Sequence, residues 1–295
     1  ESQLTKTTVF QDFTTADAAM ADVYAKVRDR GVLTGTQNGI SNYLGNYTDE
    51  LAYYGPPNNS NLDFYTNTVL PSNSAITLFW NNSYNQIYGV NAILEGVSAS
   101  ALTIQQKAQL EGEALFVRGL LHFYLLQLFG DIPYIQTTDY RANSTMSRMP
   151  EHLVYASIIT DLKTASALLL PSYSVSNTER VRPISFAVKA LLARVYLYKG
   201  DWDNANKMAT DVIDNNSPYV FETNPDKVFL KGSTETIWQF MPGAAGKNTD
   251  EGVVFILNSG PPQLVALTQS LVNSFAANDL RRSRWIGSVS NASGT

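Results

Sequence analysis

Between Gln105 and Pro133 the chain reads QQKAQLEGEALFVRGLLHFYLLQLFGDIP. Apolar residues fall at Leu110, Ala114, Leu115, Phe116, Leu120, Leu121, Tyr124, Leu125 and Leu128. Steps of three and four place them on a broad stripe of one long helix. Gly130 supplies the left-handed residue that helix ends favour, and Pro133 blocks continuation. So many leucines and aromatics predict a central helix rather than a surface one. The small Ala114 and Gly119 predict close approach of a neighbouring backbone. Glu111, Glu113, Arg118 and His122 interrupt the apolar pattern and need partners if they are covered. They are expected to be satisfied polar contacts within a core.

The same spacing predicts other helices. Residues 1–11 read as a lead-in arm, after which Ala18, Ala21, Val23, Tyr24 and Val27 give a helix its buried face. Thr14 or Thr15 is its expected cap, Asp17 complements its N-terminal end, and Gly31 is its expected stop. Residues 31–76 carry Gly, Asn, Tyr, Ser and Pro without a sustained period, so a long functional loop is expected there. Helical spacing returns from Ile76 through Trp80, Tyr84, Ile87 and Leu94 to Val97. An irregular stretch, Asp131 to Pro150, leads to a helix between Pro150 and Leu170, with Pro171 just beyond it. Ser172–Arg182 reads as a polar turn, and Phe186–Lys199 as a helix that stops at Gly200. Another helix follows at once, with Ala205, Met208, Ala209, Val212 and Ile213 on its apolar face. After Asn215 regularity fades. Thr236–Phe240 and Val253–Leu257 are strand candidates, and Leu264–Phe275 is a helix candidate. The end, VSNASGT, does not read as a domain terminus.

Composition narrows the function classes. The 295 residues include 44% hydrophobic but only 16% charged residues, so polarity is carried by Asn, Ser, Thr and 16 Tyr. Such a surface suits neutral, hydroxyl-rich ligands better than phosphates. A net charge of -5 argues against nucleic acid, which is bound largely through Lys and Arg. The absence of cysteine excludes disulfides and thiolate metal sites. No apolar run approaches the roughly 20 residues of a membrane-spanning helix.

Ala193-x-x-Tyr196-x-x-x-Gly200-Asp201-Trp202-x-x-Ala205-x-x-x-Ala209 resembles a tetratricopeptide hairpin, in which small residues sit where the helices cross. The earlier helices are compatible with degenerate units of the same kind. The expected fold is therefore mainly α: a tetratricopeptide-like helix-pair superhelix within about 14–215, with long irregular loops and a few short strands.

Several motifs coincide in order. They are Thr14-Thr15-x-Asp17-Ala18 with Tyr24, then Asp49-Glu50, then Trp80-x-x-x-Tyr84-x-x-Ile87-x-x-x-Asn91. Glu113-Ala114-x-x-x-Arg118-x-x-x-x-Phe123-Tyr124 follows, with Phe129-Gly130-Asp131-Ile132-Pro133 closing that helix. Glu235-x-Ile237-Trp238-Gln239 and Asp279-x-Arg281-Arg282 complete the series. Together they resemble the SusD/RagB-type nutrient-binding lipoproteins of Bacteroidetes outer membranes. The resemblance implies a cell-surface protein held by an N-terminal lipid anchor. It implies an oligosaccharide or other nutrient as ligand and a TonB-dependent SusC-type transporter as partner. Members of that family are usually longer, so residues 1–295 are expected to be a single domain cut short on its C-terminal side, with a naturally short member as the alternative.

Sugar recognition combines aromatic faces with Asn, Asp, Arg and Gln groups that bond hydroxyls. Residues 42–73 offer that mixture. Tyr53 and Tyr54 are the expected stacking platforms, with Asp49, Asn73 and Tyr65 nearby; Trp285 is a further candidate. Packing of these tyrosines against helices is the competing expectation, and Trp80 is expected in the core. Catalysis is not expected. Glu111 and Glu113 stand two apart on a helix and point in different directions, so they are no glycosidase pair. His122 and His152 have neither metal-ligand nor triad spacing, and Gly243–Lys247 lacks the P-loop pattern. No cofactor or metal is expected. The alternative function is a tetratricopeptide scaffold that binds a protein segment.

Overall fold

A computed structural model describes residues 9–176, 179–214 and 217–290. Most of the lead-in arm, residues 177–178 of the predicted turn, Asn215 and residues 291–295 lie outside the described residues. The fold is mainly α, as expected, and the chain divides into two compact units.

The first unit comprises residues 1–26, 83–220 and 234–241. It contains α1 (Phe13–Asp29) as far as Lys26 and α4 (Ser74–Ser98) from Ser83. It also holds α5 (Ile104–Phe129), α6 (Tyr140–Ser144), α7 (Glu151–Leu168), α8 (Ser185–Lys199) and α9 (Trp202–Ile213). Helix α7 packs on α5, α8 on α7 and α9 on α8, which is the stacking that repeated helix hairpins produce. Between α8 and α9, Gly200 adopts φ +78 and Asp201 caps α9 through Asn204 N–H. A side chain at that φ would be strained, which explains the Gly-Asp turn.

Helix α5 is the centre of this unit. Thr103 and Gln106 form a reciprocal capping box at its start. Residues 112–123 are buried without a break, so the expected single stripe is replaced by burial on every side. Its glycines make that possible: a Cβ on Gly119 would sit 2.9 Å from the Leu162 side chain, and one on Gly112 2.7 Å from that of Leu169. The close neighbours are side chains rather than the predicted backbone. Gly130 ends the helix at φ 66 and ψ −130, a positive φ outside the left-handed helical well.

The buried polar groups of α5 are satisfied inside the unit; Glu111, expected among them, is half-buried with no hydrogen bond or ion pair among the described residues. Arg118 makes a two-point contact with Asp161 at 2.6 and 2.8 Å and donates to Asn91 Oδ1 at 2.9 Å; Tyr134 also donates to Asp161, at 2.6 Å. Glu113 accepts from Tyr24 and Arg182, and Arg182 also pairs with Asp17. Burial pushes the Glu113 carboxyl up, while the Arg182 cation and the Gln109 and Tyr24 donors pull it back. His122 accepts from Ile135 N–H at Nε2, so its Nδ1 carries the proton donated to the Arg118 carbonyl. Its ring stacks on Tyr134 at 4.0 Å, and burial lowers its pKa to about 3.

Phe129-Gly130-Asp131-Ile132-Pro133 serves the same scaffold. Asp131 accepts from Glu151 N–H at the start of α7, Ile132 O accepts from Met149 N–H, and Pro133 O accepts from Tyr84.

The second unit comprises residues 27–82, 221–233 and 242–295. Here α2 (Ile40–Tyr47), β1 (Leu51–Tyr53) and α3 (Asn61–Tyr65) occupy the segment expected to be one long loop. Their brevity hides any period. Later come α10 (Asp250–Phe255), β2 (Val265–Leu267), α11 (Gln269–Ser274) and α12 (Leu280–Trp285). The strands pair antiparallel, with Leu51 opposite Leu267, Ala52 opposite Ala266 and Tyr53 opposite Val265.

Several expectations are corrected. Val253–Leu257 is not a strand: Thr249 accepts from Gly252 N–H and caps helix α10 through Val253 and Phe255. Leu264–Phe275 holds β2 before its helix, with Thr268 as the cap between them. Thr236–Phe240 forms no strand in the first unit, where Gln239 N–H and the Trp238 indole donate to Arg180 O and Val181 O. At α1, Asp12 rather than Thr14 or Thr15 accepts from the Thr15 N–H. Trp80 is half-buried, and its neighbour Phe79 fills the core instead.

Candidate functional site

The second unit brings most of the candidate ligand residues onto a small framework. Asp49 adopts φ 62, a conformation that Asp tolerates better than most residues. Its carbonyl accepts from Thr268 Oγ1 at 2.8 Å, and Glu50 O accepts from Thr268 N–H at 3.0 Å. This closes one end of the β1–β2 ribbon and leaves the Asp49 side chain exposed. At the other end, Tyr54 N–H donates to Leu264 O at 2.8 Å.

Tyr53 and Tyr65 come together, with ring centroids 6.3 Å apart. Tyr53 Oη donates to Pro56 O at 2.7 Å, which fixes its ring over Gly55. Tyr65 is 38% exposed and Tyr54 is 55% exposed. Alternation along a strand sends Tyr53 and Tyr54 to opposite faces. They therefore form two surfaces rather than one double platform.

Asn73 has a different occupation. It is buried; its Nδ2 donates to Asp63 at 2.7 Å and its Oδ1 accepts from Ala75 N–H at 2.9 Å, at the start of α4. Trp285 stands against Phe229 with centroids 4.9 Å apart, and its indole donates to Pro225 O at 2.9 Å. No contact joins it to Tyr53, Tyr54 or Tyr65 among the described residues. Most asparagines interleaved with the tyrosines are internal as well. Asn42, Asn46 and Asn61 are fully buried, and Asn42 Nδ2 bridges Gln37 O and Asn61 Oδ1, each at 2.8 Å.

A cleft of about 500 Å³ opens beside this framework. Thr36, Gln37, Asp250, Asn258, Ser259 and Gln263 supply its hydrogen-bonding groups. Val253, Val254, Ile256, Leu257 and Leu264 supply apolar walls. Leu264, whose carbonyl holds Tyr54 N–H, links the cleft to the tyrosine-bearing ribbon. Ser41 donates to Glu251 at 3.1 Å and so fastens α2 to the start of α10. The volume lies in the range of small-molecule sites. With one carboxylate and no cation among the described residues of its lining, the cleft favours neutral ligands rich in hydroxyls.

Sequence reasoning missed these cleft residues. The available signals were the Thr249–Glu251 helix start and the Gly260-Pro261-Pro262-Gln263 turn, both obscured by the strand assigned to Val253–Leu257. Among the described residues, no group of three or more His, Asp or Glu side chains is placed to hold a metal ion. No helix among them is long and apolar enough to cross a membrane.

Comparison with known proteins bears on this geometry. A SusD-like family model, described as "Starch-binding associating with outer membrane", matches residues 5–197. The chain is 31% identical over 171 residues to SusD-like protein P2 of Formosa agariphila, covering 57% of this chain and 33% of that protein. It spans 33% to 38% of the length of the curated relatives it matches. A SusD superfamily structure from Parabacteroides distasonis aligns with TM-score 0.77 and 24% identity, over 95% of this chain and 62% of that one. A laminarin-binding SusD-like protein aligns with TM-score 0.65 and 23% identity, over 76% of this chain and 50% of that one.

Proposed function

The chain belongs to the SusD-like family, and on that premise we propose that it captures an oligosaccharide at the cell surface without changing it chemically. The observation that carries the reading is the second unit's cleft, where uncharged hydroxyl-bonding side chains meet apolar walls that include Leu264, the residue whose carbonyl holds the Tyr54 N–H of the tyrosine-bearing ribbon. Aromatic faces would cover the C–H surfaces of sugar rings, while Thr36, Gln37, Asn258, Ser259 and Gln263 would exchange hydrogen bonds with hydroxyls. Tyr53, Tyr54 and Tyr65 are the proposed contacts, with Asp49 at the end of the same ribbon as an outer contact; Trp285, which touches none of them among the described residues, is proposed as a separate contact. Asn73 acts indirectly, by holding the α3–α4 connection in place.

The family resemblance extends the proposal. The captured glycan would pass to a TonB-dependent SusC-type transporter, and the binder would be tethered to the outer membrane by a lipid anchor upstream. Residues 1–295 would form part of one longer SusD-like domain. Co-purification of such a transporter with the chain from outer membranes is expected; its absence from a saturating pull-down would count against this arm.

The binding claim is tested by titration calorimetry with starch-, laminarin- and xylan-derived oligosaccharides. A member of that set should bind, and Tyr53→Ala or Tyr54→Ala should weaken it about tenfold, equivalent to about 1.4 kcal/mol. Unchanged affinity in both variants would remove the tyrosines from the site. No binding by any member of the set would count against glycan capture itself.

A further inference from the structure

One tryptophan is unexplained by packing. Trp238 lies against Phe116 and Tyr24 and donates its indole proton to Val181 O, whereas Trp285 donates to Pro225 O and Trp80 is half-buried. Trp202 is 65% exposed and makes no ring contact or hydrogen bond among the described residues. Its place at the first turn of α9 does not need an indole, because Gly200 and Asp201 already make the turn and the cap.

Trp202 stands between two clefts. One, of about 780 Å³, runs between α8 and α9, with Arg194, Leu197 and Tyr198 on one side and Trp202 and Asn206 on the other. Its floor is formed by Ala193, Ala205 and Ala209, whose small side chains leave the space open. The other, of about 350 Å³, holds Lys199, Asp201 and Asp203. Tyr198 is 58% exposed, yet its ring is held edge-on by Phe123 at 5.4 Å, so it is presented already oriented. Arg194 is braced by Tyr124 Oη at 3.3 Å, and the Asn206 carboxamide has no hydrogen-bond partner among the described residues.

We propose that the α8–α9 groove is a second glycan-binding site, with the Trp202 and Tyr198 rings as stacking surfaces and Arg194 and Asn206 as hydroxyl ligands. The inference rests on the glycan-capture reading above. The chemistry favours a sugar over a peptide helix. An amphipathic helix docks through a continuous apolar seam, whereas here the floor of Leu197 and the three small alanines is shallow and at its rim two exposed rings alternate with an Arg and a carboxamide. Sugar rings present that alternation in reverse, with C–H faces between hydroxyl edges. An indole with a free N–H also adds a donor at the edge of the stacking face. Two sites on one chain would engage a polymer together, and linked sites raise avidity well above either single affinity.

The test compares the full chain with Trp202→Ala, Tyr53→Ala and the double variant. Calorimetry uses laminariheptaose, maltoheptaose and xyloheptaose, and affinity electrophoresis uses laminarin, starch and xylan. Two binding events per chain are expected for a heptasaccharide; Trp202→Ala should weaken one about tenfold and leave the other, Tyr53→Ala should do the reverse, and the double variant should weaken both. Retardation in the matching polysaccharide gel should fall at least tenfold in Trp202→Ala. Asn206→Ala, at an exposed position, should reproduce the loss from this groove with unaltered melting. One binding event in the parent that Trp202→Ala leaves unchanged would overturn the second site and leave glycan capture standing. No binding of any probe by the parent would overturn both.

Discussion

His122 makes the chain's stability dependent on pH in a direction and window that follow from its surroundings. In the folded protein its Nε2 faces the Ile135 N–H, its rings of contact are Tyr134 and Tyr84, and the Arg118 cation is nearby. Burial therefore lowers its pKa from 6.5 to about 3. A depressed folded pKa means that the unfolded chain binds a proton between these values and the folded chain does not. Stability is present above about pH 6.5 and is lost as pH falls, at about 1.4 kcal/mol per pH unit. Between pH 7 and pH 5 the loss from this one group is about 2 kcal/mol. Glu113, held up by burial, works in the opposite direction, so the informative quantity is a difference between two proteins. In His122→Gln the amide can still donate and accept but cannot ionise. Urea unfolding at pH 7, 6 and 5 should show the parent losing about 2 kcal/mol more than the variant. Parallel pH profiles for the two proteins would show that His122 does not set this pH dependence.

Two further outcomes concern the scaffold. Asp161→Ala strands the Arg118 guanidinium, whose side chain is 7% exposed, and should cost about 3–5 kcal/mol by denaturant unfolding; a loss below 1 kcal/mol would mean that water or another group compensates. Thr103→Ala removes one half of the α5 capping box and should cost about 1 kcal/mol, with local amide exchange rising at Gln106; an unchanged Gln106 amide would show that the cap does not hold the helix start.

The long helices were legible because their apolar spacing persists over many turns, and α5 adds a stop at Gly130 and Pro133. The resemblance motifs were legible too, and their physical content now has a single theme. Asp17, Tyr24 and Glu113 converge around Arg182, Arg118 reaches Asn91 and Asp161, and Asp131 holds the start of α7. They are scaffold residues, in keeping with the expectation for α5. The β1–β2 ribbon was not legible. Three-residue strands show no alternation, and their pairing joins segments more than 200 positions apart, as the Thr268–Asp49 contact does. Val253–Phe255 misled through its β-branched residues, since a helix of six residues is set by its Thr249 cap rather than by propensity. Asn73 misled because capping and ligand binding draw on the same amide chemistry. Tyr54 and Tyr65 do reach the surface, but the division of Tyr53 and Tyr54 between two faces depends on a strand that sequence could not place.

The central claim is that the second unit's cleft and its tyrosine ribbon hold the glycan. Hydrogen–deuterium exchange of the full chain, with and without the oligosaccharide that binds best in calorimetry, tests it most directly. Slowed exchange is expected in peptides covering residues 31–41, 51–65 and 250–268, with loss of that protection in Tyr53→Ala. Protection confined to peptides outside these three segments, with residues 250–268 exchanging as in the free protein, would contradict it.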